Sequence, residues 1–151
     1  MTIYNAPKDA DPDDRKNFLI KGPIINVVIT VPQIVVATKE NEGTATPSPI
    51  SGLGLIDTGC TSTSVDKNVF LNLGINHVSE REVFTANGPI KQRIYPCGLK
   101  FPDIFPNTFD VKGVLACDLS GQEYIALIGR DILADSIFIY NGKTGQFSIA
   151  F

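Results

Sequence analysis

The hydrophobic pattern of the chain has a quiet start. Residues 1–18, MTIYNAPKDADPDDRKNF, are polar and mostly acidic, and their apolar members keep neither a strand nor a helix period. With Pro7 and Pro12 added, the stretch is expected to be a flexible acidic N-terminal arm. From Leu19 the pattern changes. GPIINVVITVP is rich in β-branched residues and predicts a strand, which QIVVATK is expected to continue or to pair beside. ENEGTATPSP is a loop by its Gly, Thr and Pro content. ISGLGLI is the next strand, its glycines permitting close approach of a neighbouring backbone. Val65, Val69 and Leu73 then recur at helical spacing, predicting a short helix with Thr63 and Asp66 as a capping box and Gly74 as its stop.

The second half alternates again. REVFTANGPIKQRIYP predicts two extended arms around Ala86-Asn87-Gly88. FDVKGVLACDL and EYIALI read as strands, and Gly129 closes the second. RDILAD fits about one helical turn, with Asp131 as its N-cap. SIFIY and QFSIAF flank the turn NGKTG in a last hairpin. The pattern predicts a mostly β domain over residues 19–151 with two short helices.

Composition narrows the function. The chain has 151 residues, 43% apolar and 19% charged, as a globular domain has. Its net charge is -3 and it has no Lys/Arg block, which argues against a nucleic-acid partner. Its apolar runs are too short to span a membrane. Cys60, Cys97 and Cys117 are widely spaced and follow no apolar leader, so free thiols, at most one disulfide, and a cytoplasmic location are expected. One histidine and no close cysteine pair predict no metal site, and no cofactor is expected.

Two apolar strands end in glycine-containing turns that carry an aspartate: GLIDTG at 54–59 and ALIGRD at 126–131. An isolated Asp-Thr-Gly would read as a turn whose carboxylate accepts local hydrogen bonds. With the helix after it, the hairpin and LIGRDIL near the end, the chain resembles the retropepsin-like (retroviral-type) aspartic proteases, especially the small cellular and bacterial members. The resemblance spans roughly residues 20–151.

That resemblance implies a closed β-barrel of the acid-protease kind and a homodimer in which Asp57 from each copy forms the catalytic dyad. The chain has one Asp-Thr-Gly, so it supplies half. Two close carboxylates share one proton because both cannot ionise together, which provides a base and an acid at one site. Asp131 and Asp118 are the other carboxylates weighed as partners. The resemblance implies that Thr58 cross-links the two catalytic loops, that Gly59 leaves room for substrate, and that Gly129 packs against the loop. It gives Arg130 a structural ion pair and Asp131 a structural position. Cys60 is expected as a packed thiol, with oxidation as its other reading. Leu55, Val65 and Ile128 are expected near the site. Phe84, Thr85, Ala86, Asn87 and Gly88 are the flap candidates.

Two departures stand out. Thr61 occupies the place where the viral enzymes carry the aspartate that meets the arginine, and the hairpin tip lacks their glycine-rich sequence. QFSIAF is expected to pair with SIFIY, to interleave with a second copy, or both. The expected function is an endopeptidase acting on an extended polypeptide; the alternative is an inactive dimerising or peptide-binding module of the same fold.

Overall fold

The computed structural model describes residues 1–7 and 13–151. Strand β2 (Ile24–Thr30) pairs antiparallel with β3 (Ile50–Ile56). Beyond β3 the sheet runs through β8 (Ala126–Ile128), β4 (Ser64–Asp66), β7 (Phe105–Cys117), β6 (Gly88–Phe101) and β5 (Ser79–Thr85). Strand β6 also pairs with β2, through Val28↔Lys100, Ile29↔Leu99 and Thr30↔Gly98, which joins the sheet into a ring. Only β5 stays outside, held by β6 alone in the hairpin around Ala86 and Asn87.

The ring encloses the apolar positions predicted by alternation. Ile25, Val27 and Ile29 of β2 point inward and are almost wholly buried, and Leu99, Phe101, Val114 and Ile128 meet them. Each such side chain contributes about 1.5–3 kcal/mol by leaving water. Helix α3 (Lys67–Leu73) closes one end with Val69, Phe70 and Leu73, and Phe70 stacks on Tyr95 at 4.2 Å. Asp66 is its N-cap, accepting from the Asn68 N–H at 2.9 Å, and Gly74 ends it in the left-handed conformation. The helix is therefore shorter than expected: Val65 lies in β4, and Thr63 is buried elsewhere.

Among the described residues four helices form, two more than the pattern predicted. QIVVATK, expected as strand, is the core of α2 (Gln33–Asn41). Pro32 breaks the ladder ahead of it, and the Gln33 N–H donates to Asp110 Oδ1 at 3.0 Å, while Val35 and Val36 rest on the core. Residues 1–18, expected as an irregular arm, contain β1 (Ile3–Ala6) and most of α1 (Asp14–Lys21). Pro12 lies outside the described residues. Phe18 explains the ordering: it is buried, 4.5 Å from the Tyr140 ring and 6.1 Å from the Phe147 ring between centroids.

Those rings belong to a second sheet of β1, β10 (Gln146–Ala150) and β9 (Ile137–Asn141). Strand β10 is its centre, pairing antiparallel with β1 on one edge and β9 on the other. Both edges of QFSIAF are thus taken within the chain, so this strand offers no ladder to a second copy. Among the described residues no helix is long and apolar enough to cross a membrane.

Candidate active site

The site begins with the pairing of β3 and β8. They run parallel in register, Leu55↔Leu127 and Ile56↔Ile128, and so deliver their two turns side by side. The Asp57 N–H donates to the Ile128 carbonyl at 2.9 Å, the Arg130 N–H to the Cys60 carbonyl at 2.9 Å, and the Asp131 N–H to the Thr61 carbonyl at 3.1 Å. The second turn leads into α4 (Arg130–Leu133), whose N-cap is Gly129. Asp131, expected in that role, is one residue inside the helix.

Gly129 has no room for a side chain. A Cβ there would stand 2.6 Å from the Ser62 carbonyl carbon and 2.8 Å from the Thr63 nitrogen, both backbone atoms. Its N–H donates to Thr63 Oγ1 at 3.1 Å. Asp131 holds the same residue from the other side. The Thr63 N–H donates to both of its carboxylate oxygens at 2.9 and 2.8 Å, and the Thr63 hydroxyl donates to Oδ1 at 2.7 Å. Asp131 is therefore an anchor for the Asp57 loop, and Thr63, wholly buried, is the post it ties. The two lie 68 residues apart, and no short motif marks Thr63.

Arg130 departs from the expected ion pair. Its guanidinium donates to the Thr58 carbonyl at 2.8 Å and to Thr61 Oγ1 at 3.0 Å, with a longer bond to the Gly59 carbonyl at 3.4 Å. Thr61 thus meets the arginine as a neutral acceptor. Thr58 and Gly59 lie exposed at the tip of the turn. A Cβ on Gly59 would come within 3.0 Å of Asp57 Oδ1.

Asp57 itself is half-buried. Its Oδ1 accepts from the Gly59 N–H at 2.9 Å, and its Oδ2 accepts from the Cys60 thiol at 2.9 Å. Burial pushes the Cys60 thiol up to about 11, helped by its bond to Asp57 and by that negative charge, with Arg130 opposing. Cys60 is thus a protonated donor to the carboxylate as well as a packed side chain. All three cysteines carry free thiols.

Asp118 serves a different structure. It pairs with Lys67 at 2.5 Å and accepts from Ser120; these bonds hold its carboxyl well below the usual carboxylate range. Val65 and Ile128, expected near the site, are core residues beneath it, and Leu55 is half-buried in the β3 ladder.

A cleft of about 490 Å³ opens between the Asp57 loop and the β5–β6 hairpin. Gly59, Cys60, Thr61 and Ser62 form its loop side, Val83, Phe84 and Thr85 its hairpin side, and Leu115, Cys117 and Leu127 its floor. Of the flap candidates, Phe84 and Thr85 border this cleft, while Ala86, Asn87 and Gly88 make the turn beyond it. Arg81, Gln92, Ser62 and Leu115 also line it and were not anticipated; their proximity arises from strand register, which short motifs do not encode. Compared with protein-family models and with curated proteins, the chain matches none.

Proposed function

We propose that the chain is a homodimeric aspartic endopeptidase of the retropepsin-like kind, with Asp57 of each copy forming the dyad. The observation that carries this reading is Asp57 itself: a half-buried carboxylate on a loop tied at both ends, whose Gly59 and Cys60 border a cleft on the side of the β5–β6 hairpin. A turn aspartate of purely structural use would not require the second turn to be bound to it by Gly129, Arg130 and Asp131.

In the proposed reaction an extended peptide lies in the joined clefts of two copies, under the β5–β6 hairpins. The two Asp57 carboxylates share one proton, since like charges at close range cannot both ionise. The ionised one takes a proton from a water molecule held between them. The water oxygen attacks the amide carbon while the protonated partner donates to the carbonyl oxygen. The tetrahedral intermediate then collapses as a proton passes to the departing amine, and both products leave without a covalent enzyme intermediate. The Gly59 N–H and the Cys60 thiol hold the carboxylate in a fixed orientation, and the hairpin keeps bulk water away. Thr58 and Gly59 are exposed at the turn, and in the proposed dimer they face the second copy. The contact must use surfaces other than the edges of β10, which β1 and β9 occupy.

The test is peptide hydrolysis over a range of protein concentration, alongside sedimentation. Specific activity rising with the dimer fraction supports the proposal. An active monomer rejects the shared dyad.

A further inference from the structure

We infer that Arg81 makes this cleft selective for peptides carrying acidic side chains, at matching positions on the two sides of the bond to be cut. The inference rests on the proposed dimeric site for its symmetry, and on the geometry of one chain for the subsite itself.

The hairpin register separates its side chains into two faces. Arg81 stands opposite Gln92, Val83 opposite Ile90, and Thr85 opposite Gly88, so these share one face. Glu80 opposite Arg93, Glu82 opposite Lys91, and Phe84 opposite Pro89 share the other. The Arg81 guanidinium identifies the face toward the cleft, because its Nη1 donates to Ser62 Oγ at 3.2 Å, across from hairpin to loop. Glu82 also borders the cleft, but alternation turns its side chain to the Lys91 side. On that outer face the charges are matched, with Arg93 and Glu80 3.8 Å apart.

Arg81 has no such match. Among the described residues, no carboxylate lies within ion-pair distance of it, and its bond to Ser62 uses one of five donors. A guanidinium fixed at one nitrogen and otherwise open is preorganised for a carboxylate, which it can bind through two parallel N–H bonds. The floor beneath it, Leu115 and Leu127 with Val83, accepts the aliphatic stem of a glutamate. In the proposed dimer the shared dyad carries one negative charge, while two Arg81 side chains supply two positive ones. The joined cleft therefore welcomes an acidic peptide despite the chain's overall charge of -3. Two-fold symmetry places one such subsite on each side of the dyad.

The experiment uses short extended peptides with an apolar centre, flanked symmetrically by Glu, Gln or Lys. Their binding is measured by fluorescence anisotropy on the uncut Asp57→Asn protein, and their cleavage by wild type is measured in parallel. The Glu peptide is expected to bind about fivefold more tightly than the Gln peptide, as two weak exposed charge pairs, one on each side of the dyad, allow. Adding Arg81→Gln should erase that difference, and Arg81→Glu should turn it toward Lys. Circular dichroism on both variants checks that the fold persists, as an exposed position allows. Equal binding of Glu and Gln peptides, a Glu preference that survives Arg81→Gln, or no binding of any peptide overturns the subsite. Arg81-dependent binding without wild-type cleavage keeps the subsite and rejects the protease; cleavage blind to Glu against Gln does the reverse.

Discussion

Replacing Asp131 by alanine tests how the Asp57 loop is held. Thr63 is wholly buried, and in the native protein its N–H and hydroxyl both donate to Asp131, at 2.8–2.9 Å and 2.7 Å. The substitution orphans both donors. Each hydrogen bond to a charged acceptor is worth about 1.5–3 kcal/mol, and a buried donor left unsatisfied costs about 1–3. Asp131 itself is exposed, so water can enter its place and the lower end applies. The expected loss is about 3 kcal/mol for the two donors together. With a urea slope near 2 kcal/mol per molar, the midpoint should fall by about 1.5 M. The melting temperature should fall by roughly 6–12 °C. Asp131→Asn keeps one acceptor oxygen and should lose about half as much. Urea unfolding of all variants at one protein concentration holds the concentration dependence of any dimer constant across the comparison. A double-mutant cycle with Thr63→Val should give a coupling above about 1 kcal/mol. If Asp131→Ala unfolds at the wild-type midpoint, the anchor described here is wrong.

Other perturbations follow from the same contacts. Gly129→Ala forces a methyl onto the Ser62–Thr63 backbone and should cost about 3 kcal/mol in urea unfolding; an unchanged midpoint contradicts the contact. Arg130→Ala frees the Thr58 and Thr61 ends of the loop at an exposed position, so peptide cleavage should fall at least about tenfold while the urea midpoint moves by less than about 1 kcal/mol in stability. Asp66→Ala removes the α3 cap and the acceptor for the Leu119 N–H, and should cost about 1–2 kcal/mol by the same unfolding assay. The thiols set an alkaline trend: burial first, with nearby carboxylates, raises Cys97 and Cys117 from 9.0 to about 12. The folded chain thus holds protons that the unfolded chain releases, so this contribution is complete below pH 9 and is lost as pH climbs toward 12. Unfolding followed across that window should show a shallower decline in Cys97→Ala.

The elements that alternation predicted well are those whose burial follows their own sequence. In β2, Ile25, Val27 and Ile29 alternate with residues that are less buried, and the hairpins at Asn87-Gly88 and at 141–146 carry their own turn residues. Helix α2 was misread because Ile34-Val35-Val36 is a β-branched run; Pro32 and the contact with Asp110 decide its conformation, and the latter is a tertiary effect. The N-terminal elements were missed for the opposite reason. Their apolar residues keep no regular period, Ile3, Leu19 and Ile20 are exposed, and Phe18, buried beside Phe147, brings α1 to the second sheet.

The same division applies to the site. Asp57 and the Gly129-Arg130-Asp131 turn were legible because each closes an apolar strand with unusual chemistry. A threonine shortly before a helix ordinarily caps it, and the parallel pairing of β3 and β8 is what brings Asp131 to Thr63 instead. The Cys60 donation to Asp57 follows from the tightness of the turn, and Arg81 from strand register.

The most direct measurement is cleavage of a diverse peptide library by wild type and Asp57→Asn, read by mass spectrometry from acidic to neutral pH at high protein concentration. Cuts by wild type alone are expected, with Asp57→Asn still folded and inert. Turnover by the pure Asp57→Asn protein, or no cuts by a folded wild-type dimer, would contradict the proposal.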